Sequence, residues 1–116
     1  MYSFTFRQKK SLNERINEAN VLINKHPTKI PIIVNVDKDI SLKKYKYLVN
    51  INIPFLEFCN ILRTSIKLNK EEGLTYIVGD SFCIPSFHST IGELYHSHKS
   101  DDLFLIITIK KENIFG

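Results

Sequence analysis

The sequence predicts an α+β domain, and three observations carry that prediction. Residues 30–36 (IPIIVNV) and 103–109 (LFLIITI) are apolar runs of strand length, rich in β-branched side chains. Residues 54–66 place Phe55, Phe58, Leu62 and Ile66 at helical spacing. The 116 residues are 43% hydrophobic and 24% charged, enough for one core without staples and too few for a second.

Taken in order, residues 1–10 read as an irregular arm or an extra turn. Ser11 and Glu14 then have capping-box spacing, in which the hydroxyl takes a free amide while the carboxylate reaches back. Leu12, Ile16, Ala19 and Ile23 follow as an amphipathic stripe that ends near His26-Pro27. The 30–36 run is a strand with Pro31 at its start or on an edge, since proline cannot donate to a ladder. Residues 37–44 are polar and read as a loop. Residues 46–51 form the next strand, whose alternation sends Tyr47 and Val49 one way and Lys46 and Leu48 the other. Pro54 opens the long helix at a position that tolerates a missing donor, and Cys59 and Ile61 broaden its stripe. Residues 74–78 and 82–84, separated by Gly79-Asp80, read as a hairpin. Thr90 and Glu93 offer a second capping box, for a short helix ending near His96. The continuous 103–109 run marks a central strand covered on both faces. This order describes a ubiquitin-like β-grasp, a mixed four-stranded sheet with a packed helix, plus an N-terminal helical extension. The divisions are a basic extension at 1–28, the β-grasp core at 29–110 and a flexible tail at 111–116, within one domain.

Charge and motif content narrow the chemistry. The net charge is +4, and residues 1–29 carry six Lys or Arg against two Glu; Lys43, Lys44 and Lys46 form a second basic run. Such runs attract acidic peptides, anionic lipid or nucleic acid. Basic residues interleaved with aromatics (Tyr2, Phe4, Phe6, Arg7, Lys9, Lys10) keep a nucleic-acid-binding domain as an alternative, ranked last because the common module motifs are missing. Cys59 and Cys83 lie in apolar surroundings and read as lone buried thiols, not nucleophiles. His88, His96 and His98 lack metal-ligand spacing, so neither a metal nor a cofactor is expected. With four glycines and no phosphate-cradling or nucleophile motif, catalysis is not expected. No signal peptide or span of ~20 apolar residues is read, so a cytoplasmic chain is expected.

A set of ordered phrases says more. Residues 30–34 (IPIIV), 44–49 (KYKYLV), Phe58 with 61–63 (ILR), Leu94-Tyr95 with His98-Lys99, Asp102 with Phe104-Leu105, and Glu112-Asn113 with Phe115-Gly116 together resemble the autophagy-related ubiquitin-like modifiers, whose GABARAP-like members are best known. The resemblance runs from about Ser11 to Gly116, with a short deletion in the 37–43 loop. It departs from the family at Asn50, where proline is usual, at Ser65, where a basic residue is usual, and at Leu103, where glycine is usual.

The resemblance implies two activities. The carboxylate of Gly116 would be adenylated by an activating enzyme, passed as a thioester to a conjugating enzyme and joined to the amine of phosphatidylethanolamine. Phe115 would be the handle read by those enzymes and by a deconjugating cysteine protease. Nothing follows Gly116, so no prior processing is expected. The second activity is binding of receptor peptides with an aromatic-x-x-aliphatic motif, added as a strand beside residues 46–51. Leu22, Pro31, Ile33, Lys46, Leu48 and Phe104 would line the aromatic pocket. Tyr47, Val49, Ile53, Phe58, Ile61 and Leu62 would line the aliphatic one, and Lys29 and Lys44 would meet acidic flanks. The expected setting is a monomer in the cytoplasm, and autophagosome or other vesicle membranes after lipidation. A β-grasp peptide binder that is not conjugated, or is joined to protein, is the alternative.

Overall fold

The computed structural model describes residues 9–37, 39–69, 71–79 and 85–113. Helix α1 (Leu12–Lys25) starts at Ser11, whose hydroxyl accepts from the Glu14 amide while the Glu14 carboxylate accepts from the Ser11 amide, as the spacing predicted. Strand β1 (Lys29–Val36) follows, then β2 (Lys46–Asn50), α2 (Phe55–Thr64), β3 (Glu72–Val78), α3 (Ile91–His98) and β4 (Leu105–Asn113). α3 has its own capping box at Thr90 and Glu93. The expected strand at 82–84, with Cys83, lies outside the described residues, as do Phe115 and Gly116.

The sheet order is β2-β1-β4-β3, with β1 and β4 parallel at the centre and the two outer pairs antiparallel. This is the mixed four-stranded β-grasp that the order of elements predicted. Pro31 pairs with Leu48, while β4 joins β1 only from Ile32, so the missing proline donor falls before the strand becomes central.

Each face of the sheet has its own core. Ile30, Ile32, Val34 and Val36 of β1 meet Phe55, Phe58, Cys59 and Leu62 of α2 on one side. On the other, Ile33 joins Ala19 of α1, Phe104 and Ile106, with Leu22, Tyr45 and Leu103 at the margin. Of the expected α1 stripe, Ala19 is buried and Ile16 and Ile23 are half-buried, whereas Leu12 is 44% exposed. The packed face runs through Arg15, Ala19 and Leu22, and Arg15 is admitted because its guanidinium lies 3.6 Å from the buried Asp102 carboxylate. In α2, Cys59 is inside and Ile61 is 50% exposed, so the stripe is narrower than expected.

Two strands outrun their apolar runs. β3 begins at Glu72 instead of 74, and β4 continues through Lys111, Glu112 and Asn113, residues assigned to the tail. There the two strands pair with each other, Leu74 to Lys111 and Glu72 to Asn113. Backbone pairing sustains them after burial has ended, and polar side chains are tolerated. β4 also starts at Leu105, not 103. Leu103 has φ +70, a left-handed conformation that ends an extended run and normally favours glycine. Its amide donates to Ser100 O and its carbonyl accepts from the Tyr95 hydroxyl, which holds the turn.

Candidate functional site

β2 is the edge strand of the described sheet, so one side of its backbone is available to a further strand. The sequence KYLVN sets which side chains flank that edge. In register, Lys46 and Leu48 oppose Ile33 and Pro31, while Tyr47 and Val49 oppose Ile32 and Ile30. Because alternate side chains leave opposite faces, Lys46 and Leu48 share the face that α1 covers. Tyr47 and Val49 share the face that α2 covers. Asn50 closes the strand by accepting the Asn52 amide at 2.8 Å, a side-chain turn that accounts for asparagine at this departure.

Of the residues expected in the aromatic pocket, Ile33 and Phe104 are fully buried and Pro31 is buried, so they can only form a floor. Leu22 and Leu48 are half-buried and form accessible walls. A residue not foreseen completes this end: Glu18 of α1 accepts from Lys46 Nζ at 2.6 Å and from Lys10 Nζ at 2.8 Å. The Lys46–Glu18 pair ties α1 to the edge strand. Burial works against the Glu18 charge, yet the hydrogen bonds from Lys10 and Lys46 prevail and hold its carboxyl below the usual range. Glu18 lies one helical turn before Leu22, and that spacing was the available sequence signal.

On the α2 face, Phe58, Leu62 and Val49 are core residues. The surface they support is made by Tyr47, half-buried and edge-on to Phe58 with ring centroids 5.5 Å apart, together with the half-buried Ile53. Ile61 stands exposed on the outer side of α2. The two lysines expected at peptide flanks are separated. Lys29 pairs with Asn50 at the end of β2, whereas Lys44 precedes its start and places Nζ 5.0 Å from the Tyr47 ring. Together they bracket the strand.

Cys59 is buried, and that burial pushes its thiol up to about 12, opposite to what a nucleophile requires. Among the described residues, no group of three or more His, Cys, Asp or Glu is placed to hold a metal ion.

Comparison with known proteins agrees with this geometry. The family model described as "Autophagy protein Atg8 ubiquitin like" matches residues 14–116. The chain is 35% identical to autophagy-related protein 8 of Schizosaccharomyces pombe over 116 residues, covering 97% of this chain and 89% of that protein. It is 30% identical to autophagy-related protein 8a of Arabidopsis thaliana over 119 aligned positions, covering 100% and 96%. The crystal structure of Trypanosoma brucei ATG8 superposes with a TM-score of 0.79 at 24% identity, over 96% of this chain and 97% of that one, a likeness of fold. The chain thus belongs to the Atg8 family of autophagy-related ubiquitin-like modifiers.

Proposed function

We propose that this chain is conjugated through Gly116 to phosphatidylethanolamine and serves on autophagosome or other vesicle membranes as an adaptor for aromatic-x-x-aliphatic receptor peptides. The observation that carries the peptide reading is the edge position of β2, with Leu48 and Tyr47 on opposite faces. A strand added there gains main-chain hydrogen bonds, and alternate side chains of the peptide drop to either face, one toward Leu22 and Leu48, the next toward Tyr47 and Ile53. Family membership and the Phe115-Gly116 pair, which the family match includes, support conjugation. A residue without a Cβ leaves its carboxylate unhindered for adenylation and transfer. Activating and conjugating enzymes and a deconjugating cysteine protease are the partners this reading requires.

Incubation with the activating and conjugating enzymes, ATP and phosphatidylethanolamine liposomes should give a lipid adduct with the native chain and none after deletion of Gly116. No adduct from the native chain removes the conjugation claim and leaves a peptide-binding β-grasp module. For the peptide site, Leu48→Ala should weaken an aromatic-x-x-aliphatic peptide by ~2 kcal/mol or more, the loss of a buried anchor. Undiminished binding by calorimetry would take Leu48 out of the site.

A further inference from the structure

Beyond the start of β2, on the α2 side, lies a groove of about 730 Å³ that neither expected pocket includes. It is bounded by the 39–44 loop, by residues 65–67 after α2 and by Lys111 of β4. Its apolar lining comes from Ile40, Leu42 and Ile66, themselves anchored in the core. Its rim carries Lys43, Lys44 and Lys67, all exposed, against one carboxylate, Asp39, and neither Lys43 nor Lys67 has an ion partner among the described residues. Tyr47 belongs to this groove and also flanks the β2 edge, so the two are continuous. Ser65, a departure from the family's usual basic residue, also lines the groove.

We infer that this groove is a third subsite for the same peptides: it takes an apolar residue, flanked by carboxylates, on the segment that runs past Lys46. The inference rests on the peptide reading above. Its size is that of a pocket for side chains, and its mixture of an apolar floor with a cationic rim suits an acidic, amphipathic segment. The surroundings favour a narrow chain over a broad anionic surface. On the far side of Lys111, which lies 3.6 Å from Glu72, the next hollow is lined by Asp39, Glu71, Glu72 and Glu112. A bilayer or a nucleic-acid backbone pressed on this end would meet Glu71, Glu72 and Glu112 as well as Asp39, whereas a peptide held between Lys43 and Lys67 would meet Asp39 alone.

The test uses the full chain and labelled peptides: a neutral aromatic-x-x-aliphatic core, the core extended at either end by an apolar residue between acidic ones, and the core extended by acidic residues alone. One of the two amphipathic extensions should tighten binding by about tenfold over the core peptide, and which one does so reports the direction of the added strand. The acid-only peptides should gain less. The double variant Lys43→Glu/Lys67→Glu, at two exposed positions, should lose the gain while retaining core-peptide affinity and thermal midpoint. If neither amphipathic extension tightens binding, if acid-only peptides gain as much, or if the double variant keeps the gain, the third subsite is overturned while the core reading stands. If the variant instead loses binding to phosphatidylserine vesicles and no peptide effect, the groove is a lipid contact and the inference falls. Failure of the core peptide to bind the native chain overturns the peptide reading itself, and the inference with it.

Discussion

Phe104→Ala is expected to cost about 3–5 kcal/mol of folding stability, the cost of emptying a large aromatic site in a packed interior. Phe104 is 1% exposed and sits with Ala19, Ile33 and Ile106 between α1 and the sheet. This second core is small, so few side chains are on hand to relax into the hole. Against a total stability of roughly 5–15 kcal/mol for a domain of this kind, the variant should be close to unfolding. Urea denaturation at constant slope checks it, since a shifted midpoint isolates stability from changes in the denatured state. The result also separates Phe104 from Leu48 as probes of the peptide site. Loss of peptide binding in Phe104→Ala would report a lost fold, whereas Leu48 is half-buried and can be truncated with the core intact. A change below ~1 kcal/mol would mean that α1 does not close over the sheet in solution.

What could be read from the sequence was whatever depends on neighbours along the chain. Both capping boxes are four-residue signals and both formed. Phe55, Phe58, Leu62 and Ile66 needed only helical spacing, and all are buried. The β2 faces followed from strand alternation alone. Failures came where a distant partner decides the outcome. Arg15 reads as one more charge of the basic 1–29 segment, and only the fold places Asp102 beside it. The ends of β3 and β4 were missed because Lys111 and Glu112 are paired, not buried. Likewise, the 39–44 loop is polar enough to pass as a simple connection, and only folding sets its two apolar residues, Ile40 and Leu42, against Ile66. The resemblance supplied the residues of the peptide site but not their depth, and depth distinguishes a wall such as Leu48 from a floor such as Ile33.

Asp102→Ala is expected to cost about 3–5 kcal/mol, because it strands a largely buried guanidinium. The Asp102 side chain is 2% exposed and that of Arg15 is 12% exposed. One carboxylate oxygen faces Arg15 Nη1 at 3.6 Å, and the other accepts the Phe104 amide at 3.1 Å. Arg15 Nε already lacks a hydrogen-bond partner, so the guanidinium has little else to turn to. The lost carboxylate would also release the turn that keeps Leu103 in its left-handed conformation. Replacing the pair together, Arg15→Met with Asp102→Leu, should recover most of the loss, because an apolar pair of similar volume needs no charge partner. A double-mutant cycle by urea denaturation reads the coupling directly. A single Asp102→Ala cost under ~1 kcal/mol would show that water reaches the pair and that it does not hold α1. If the pair does hold α1, peptide binding should divide along the two faces of β2. The aromatic side needs Leu22 of α1 beside Leu48, so loosening α1 in Asp102→Ala should weaken the contribution of the peptide's aromatic residue. The contribution of its aliphatic residue, set by Tyr47 and Ile53 against α2, should persist.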